Sequence, residues 1–117
     1  MWVLTFVLAI EIVGLLHGVR QNVALNKESR QSTTYHDRNL TGIAALANDG
    51  DTYQHYEITN VKVFCSHTLV NQQEQWWAVD LGQTYNINSV TIYNRIDHKP
   101  ERLANIYILV YNPMVHT

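Results

Sequence analysis

His67, Arg95, Asp97 and Arg102 are the residues of this chain whose types and spacing could do chemistry together. Arg95 stands where the strand-like run Ser89-Val90-Thr91-Ile92-Tyr93-Asn94 ends. Asp97 follows two residues on, and Arg102 lies five beyond that, across His98-Lys99-Pro100-Glu101. A guanidinium presents five N–H donors in a rigid fork, and a neutral imidazole offers one donor and one acceptor. Two forks and an imidazole converging on one loop could grip the hydroxyls of a neutral polyol. Asp97 would hold an arginine in place, because an unpaired buried charge is expensive. The same spacing also fits a strand end capped by solvated charges, since short motifs taken singly are weak.

The elements that must position these residues read as short β-strands. Trp77, Val79 and Leu81 alternate with Ala78 and Asp80, and Val90 and Ile92 alternate with Thr91 and Tyr93, the period of half-buried strands. Ala104, Ile106, Ile108 and Val110 predict one face of a longer strand. Its other face (Asn105, Tyr107, Leu109, Tyr111) is also largely apolar, which places it deep in a sheet. Pro113 then interrupts. Turn chemistry at Asp49–Thr52, Gly82-Gln83 and His98–Glu101 separates the runs. Short strands joined by polar turns indicate an all-β sandwich in one domain. Adjacent strand residues point to opposite faces, so Trp77 is expected in the core, and neither it nor Trp76 is a chosen site residue.

Six blocks, in order, carry a resemblance. They are Asn22-Val23-Ala24-Leu25-Asn26-Lys27, Gln31-Ser32-Thr33-Thr34-Tyr35, Asn48-Asp49-Gly50-Asp51 and Cys65-Ser66-His67-Thr68, then Trp76-Trp77-Ala78-Val79-Asp80-Leu81-Gly82 and Val90-Thr91-Ile92-Tyr93-Asn94-Arg95. Over about Asn22 to Val110 the chain resembles the fucolectin–tachylectin–pentraxin family, the F-type, fucose-binding lectin domains typified by eel agglutinins. The resemblance implies a discoidin-like jelly roll with its binding loops at one end. The family's sugar pattern is a His in a Cys-x-His-x segment, then Arg-x-Asp-x-x-x-x-Arg/Lys. His67, Arg95 and Arg102 match it as sugar-binding residues, with Asp97 supporting. The gap from His67 to Arg95 is about one residue longer than usual, in the loop Leu69–Gln75. His98 and Lys99 stand where the family often carries two adjacent cysteines against the sugar ring.

Asp49-Gly50-Asp51 by itself is either an ordinary acidic turn or a source of oxygens for a hard cation. The resemblance implies a structural calcium, with Asp49 giving a side chain and Leu46, Asp51 and Phe64 giving mainly backbone oxygens. A further glutamate of the family's cage falls beyond Thr117. The family also pairs the cysteine at position 65 with one nearer the domain's end. Cys65 is the single cysteine here, so the chain is expected to be a C-terminally incomplete domain, unstable as a monomer or prone to disulfide-linked dimers.

Residues Trp2 to Leu16 are nearly all apolar, interrupted by Glu11. The run falls short of the ~20 residues of a spanning helix. It reads as a secretory signal, residues 1–18, cut near Gly18 and leaving a lectin domain over 19–117. Two features are irregular for a signal: no Lys or Arg precedes the apolar core, and Leu16 is large for the third position before the cut. Loss of Met1–Gly18 removes one acid, Glu11, and no base, moving the formal charge from -2 to -1. Such a balance is no footprint for nucleic acid. Asn39-Leu40-Thr41 is a glycosylation sequon, expected on a surface loop of a secreted protein.

Structural zinc needs four ligands, usually as paired short-spaced motifs, and Cys65-Ser66-His67 with His55 forms no such pair. Nothing in the sequence orients a Cys/His nucleophile, and no phosphate loop or nucleophile elbow is present, so no enzymatic activity is expected. Two readings remain. The first is a secreted lectin for fucosylated glycans, whose weak single pocket gains by multivalency in an oligomer or a larger multidomain protein. The second is an adhesion or receptor-ectodomain module that keeps the scaffold without sugar binding. On the first reading, an ordinary histidine at 67 would lose its acceptor, and the protein its sugar, below about pH 6.

Overall fold

Runs of alternating side chains form the strands, and among the described residues there is no α-helix. The computed structural model describes residues 6–7, 9–16, 18–58 and 62–110. In chain order the strands are β1 (Phe6–Val7), β2 (Ala9–Leu16), β3 (Val19–Asn22), β4 (Ser29–Gln31), β5 (His36–Asp37) and β6 (Leu40–Thr41). They continue as β7 (Glu57–Ile58), β8 (Lys62–Val63), β9 (Ser66–His67), β10 (Trp77–Val79) and β11 (Asn86–Tyr93). Two 3-10 turns, Ala44–Ala47 and Pro100–Arg102, accompany them. The all-β class expected from the alternation is the class observed.

The widest sheet sets β2 between β11 and β3, antiparallel to both. Ile10 lies opposite Ile92 and Ile12 opposite Val90, so the even positions of both strands share one face. That face packs with Ala47, Trp77 and Leu103 into one hydrophobic core. β-Branched residues suit it because they fit a pleated, half-buried surface. Asn22 ties the sheet to the next loop, its side-chain oxygen accepting from Ile12 N at 3.3 Å and Ala24 N at 3.1 Å. A second core gathers Leu40, Tyr56, Val63 and Cys65, with Tyr35, Leu46 and Tyr93 against it. The turn Ala44–Ala47 serves both, giving Leu46 to one core and Ala47 to the other.

Smaller antiparallel pairs hold the loops: β10 with β4, β1 with β9, β5 with β6 and β7 with β8. Trp77 faces inward as expected, its indole N–H donating to the Ala44 carbonyl at 3.0 Å, while Trp76 is exposed. Gly82 closes the turn after β10 at a φ of +81°, its N–H donating to Asp80 Oδ1 at 2.8 Å.

Two expectations concern the ends of the described chain. Ala9–Leu16, read as the apolar part of a removable signal, is the middle strand of the widest sheet. The rest of that reading, at residues 1–5, 8 and 17, lies outside the described residues, as do 111–117 with Pro113. The strand expected over 104–110 is a correction: none of it is in a strand, and Tyr107 and Leu109 are 80% and 82% exposed. A strand apolar on both faces needs a layer on each, and the described residues supply neither.

Candidate functional site

His67 ends a two-residue strand, and backbone hydrogen bonds hold it from several sides. Its N–H donates to the Gly42 carbonyl at 2.9 Å, and its own carbonyl accepts from Tyr35 N–H at 2.8 Å. Position 42 must be glycine, because a Cβ there would stand 2.7 Å from both the Cβ and the nitrogen of His67. The His67 side chain is buried, with Nδ1 2.6 Å from the Thr68 carbonyl. A carbonyl only accepts, so Nδ1 carries the proton and Nε2 is an acceptor in the neutral ring. Burial disfavours the imidazolium, the Thr68 carbonyl favours it, and Arg95 and Arg102 oppose it, leaving the pKa lowered to about 4. The rings of Tyr35 and Tyr56 flank the imidazole at 4.6 and 5.3 Å between centroids.

Arg95 follows β11 by two residues and is buried to 7% exposure. Its Nε donates to Asp97 Oδ1 at 2.6 Å, and its guanidinium carbon lies 5.1 Å from the centre of the Tyr56 ring. The other Asp97 oxygen accepts from Tyr56 N–H at 3.0 Å. Burial resists ionisation of Asp97, but the Arg95 and Tyr56 hydrogen bonds and the Arg95 charge outweigh it and hold the carboxyl below its usual range. Gln54 braces the same loop, its side-chain Nε2 donating to the Asn94 carbonyl at 2.9 Å while its backbone carbonyl accepts from Ile96 N–H at 2.9 Å. Lys99, at a φ of +45°, turns the chain into Pro100–Arg102, and Asn94 Nδ2 clasps the Pro100 carbonyl at 2.7 Å. Arg102, in the last position of this turn, is half-buried.

These residues meet. His67, Arg95 and Arg102 line one open cavity of about 310 Å³, with Tyr35 and Tyr56 in its wall. Asp37, Val70 and His98 complete its lining. Guanidinium donors, an imidazole acceptor and aromatic faces suit a neutral ligand with hydroxyls on one side and an apolar face on the other. All three expected sugar-binding residues are brought together, with Asp97 behind Arg95.

Tyr35, Tyr56 and Asp37 were not singled out from the sequence as site residues. Tyr35 stood inside one of the resembling blocks, and Tyr56 gave no signal, because its ring reaches the site through tertiary packing. Val70 enters from the longer loop Leu69–Gln75, which Ser32 and Thr33 fasten by donating to Gln75 Oε1 at 2.7 and 2.5 Å.

Of the four residues expected to hold calcium, Asp49 and Asp51 sit in a well-formed turn, Leu46 in the 3-10 turn Ala44–Ala47, and Phe64 just after β8. Asp49 Oδ1 accepts from Asp51 N–H at 2.9 Å, Asp51 Oδ1 accepts from Tyr53 N–H at 3.0 Å, and Gly50 takes a φ of +89°. Lys62 comes within 3.9 Å of Asp51 Oδ2 and lies 4.4 Å from the centre of the Phe64 ring. Among the described residues no three His, Cys, Asp or Glu side chains form a metal group. Asp49 and Asp51, with the carbonyls of Leu46, Asp51 and Phe64, have the donor chemistry of a hard cation. They fall short of a complete shell of six to eight oxygens. Asn39 is exposed in the two-residue turn between β5 and β6, the surface position expected for the sequon. Cys65 is fully buried in the second core, and burial is the main force pushing its thiol up to about 12.

Comparison with known proteins places the chain in a family. Residues 46–114 match the family described as NedA-like, galactose-binding domain. The chain is 36% identical to Fucolectin-1 of Anguilla japonica over 100 residues, 82% of this chain and 52% of that protein. It is 37% identical to Fucolectin-3 of the same species over 94 residues, 79% and 48% of the two chains. With Fucolectin of Anguilla anguilla the identity is 33% over 90 residues, 76% and 54%. The chain spans about half the length of the curated relatives it matches. No solved structure matches it.

Proposed function

The chain belongs to the family of NedA-like, galactose-binding domains and is fucolectin-like, and from that premise we propose that it binds carbohydrate, as an extracellular lectin domain for fucose-type sugars. One observation carries the reading: a neutral imidazole acceptor and two arginines surround one open, aromatic-walled cavity. Sugar hydroxyls would accept from Arg95 and Arg102 and donate to His67 Nε2. The apolar side of the ring would lie against Tyr35 or Tyr56. The work of the site is binding, with no catalytic step.

The experiment is retention of the multimerised chain on immobilised fucose, with elution by free fucose and not by glucose. Hydrogen bonds to charged groups contribute about 1.5–3 kcal/mol each. Arg95→Ala and Arg102→Ala are then expected to weaken binding by about tenfold to a hundredfold, since 1.4 kcal/mol is a factor of ten. Retention on galactose in place of fucose would keep the lectin and change its sugar. An Arg102→Ala variant that folds and elutes with the parent would overturn the pocket.

Several finer features belong to the same reading. The apolar N-terminal segment and the sequon at Asn39 support entry into the secretory pathway, and no described helix is long and apolar enough to cross a membrane. One weak pocket favours an oligomer or a larger protein that presents several to fucosylated glycans. Calcium would be held by the Asp49 side chain and by carbonyls of Leu46, Asp51 and Phe64, with the Asp51 carboxylate facing Lys62 instead. A rise in melting temperature on adding calcium, reversed by chelation, tests this, because a ligand of the native state stabilises it by mass action. The second reading, a module without sugar binding, has one observation in its favour: His98, an exposed polar side chain, lines the cavity where the resemblance implies a rigid apolar contact to the sugar ring.

A further inference from the structure

The N-terminal segment does two jobs that conflict if it is removed. By composition it could target the chain for export. In the fold, Ala9–Leu16 hydrogen-bonds to β11 on one side and β3 on the other. Ile10 is 7% exposed and belongs with Ala47 to the core that includes Trp77, Val90 and Ile92. The buried Gly14 is packed so closely that a Cβ would meet Val23 at 3.1 Å. Further back, Phe6–Val7 pairs with Ser66–His67, so the strand that carries the site histidine has its partner in this segment too. Cutting near Gly18 would unpair β11 along its length and leave β9 without β1. The two irregularities of the segment as a removable signal, Leu16 three residues before the cut and no basic residue ahead of the apolar run, point the same way.

We propose that the segment around Ala9–Leu16 is retained, and that the sugar-binding form of this protein contains it as the middle strand of its widest sheet. The link to the pocket is short. β11 runs from Asn86 to Tyr93, and Arg95 follows two residues later, so the strand that sets the arginine's position is held by β2. Removal of β2 exposes one edge of β11, one edge of β3 and the apolar face around Ala47. This inference deepens the lectin reading and rests on it only where sugar binding is the readout.

The test compares the full chain with a chain beginning at Val19, both made without export, and adds the N-terminus of the exported protein. The full chain is expected to melt cooperatively and to be retained on fucose. The chain from Val19 is expected to lose the cooperative transition and the retention. Ile10→Asp in the full chain is expected to lower the melting temperature by on the order of 10 °C or more, and Ile10→Val to keep most of it, because Ile10 is buried and a buried charge costs far more than one lost methylene. Intact mass of the exported protein is expected to include residues 9–16. A mature protein that starts at Val19, melts like the full chain and binds sugar like it would overturn the proposal and leave the lectin reading intact. If the full chain binds no sugar, the lectin reading fails, and the two melting curves still decide the fate of the strand.

Discussion

Arg95, buried, and Asp97, open to solvent on one side, form an ion pair, Nε to Oδ1 at 2.6 Å, with side-chain exposures of 8% and 22%. The second carboxylate oxygen takes the Tyr56 N–H, so one acid fixes both the arginine and the backbone beneath the aromatic wall. Two residues of separation let Asp97 fold back on the arginine that precedes it. The motif Arg-x-Asp therefore works as a single rigid donor.

Asp97→Ala is expected to cost about 2–3 kcal/mol, because it leaves the buried Arg95 charge without its carboxylate, at or below the range for a fully buried pair, since Asp97 meets water. In a domain of this size that lowers the melting temperature by on the order of 10–20 °C. Thermal unfolding of the variant measures it. A change of a degree or two would mean that Arg95 is neutralised by something other than Asp97.

The pH response of sugar binding is expected to be flatter than the residue type suggests. With its pKa lowered to about 4, chiefly by burial, His67 keeps its acceptor far below the pH of about 6 that an ordinary histidine would impose. Retention on fucose should be level from about pH 7.5 to about pH 5 and fall near 4. Stability behaves otherwise. The unfolded histidine takes a proton near 6.5, so from there down to about 4 the unfolded chain binds more protons, and stability falls with falling pH. Asp97 adds a second loss: its stabilisation is present above its unfolded value of about 3.9 and disappears as pH drops through its lower folded value. Affinity and melting temperature measured over the same pH series separate the two effects.

Gly42→Ala is expected to damage the site without touching sugar. The new Cβ would press on His67 at 2.7 Å, against both its Cβ and its backbone nitrogen. Overpacking of this kind costs about 1–3 kcal/mol, and here the displaced group is the imidazole acceptor. The variant should melt lower and bind fucose more weakly than the parent. Unchanged affinity would show that His67 is not a sugar contact.

Cys65 is expected to be inert in the folded protein. Its thiol is fully buried and pushed up to about 12, first by burial, with Arg95 lowering it and Asp97 raising it. At about pH 8 only roughly one thiol in ten thousand would be ionised, against about a quarter for an ordinary cysteine. Thiol labelling should be slow in buffer and fast in denaturant. The folded chain should also resist the disulfide-linked dimers that an isolated cysteine suggests, so rapid dimer formation under oxidation would report unfolding.

The sequence by itself determined the all-β class of this protein and the residues that the fold gathers around one cavity. Period-two alternation at Trp77–Val79 and Val90–Ile92 marked true strands, because side-chain direction in a strand follows from the backbone alone. The spacing of Arg95, Asp97 and Arg102 was legible because all three lie on one loop. What only the tertiary structure decided depends on distant neighbours. Tyr56 reaches the cavity because β7 and β8 follow it and return Phe64 N–H to its carbonyl. The tautomer and low pKa of His67 come from burial and the Thr68 carbonyl. Ala9–Leu16 lies inside a sheet, and the run expected as a strand over 104–110 is in no strand and largely exposed. Alternation and hydrophobicity say that a segment can be a strand. Which one fills a given place is settled by the edges and faces that other parts of the chain present to it.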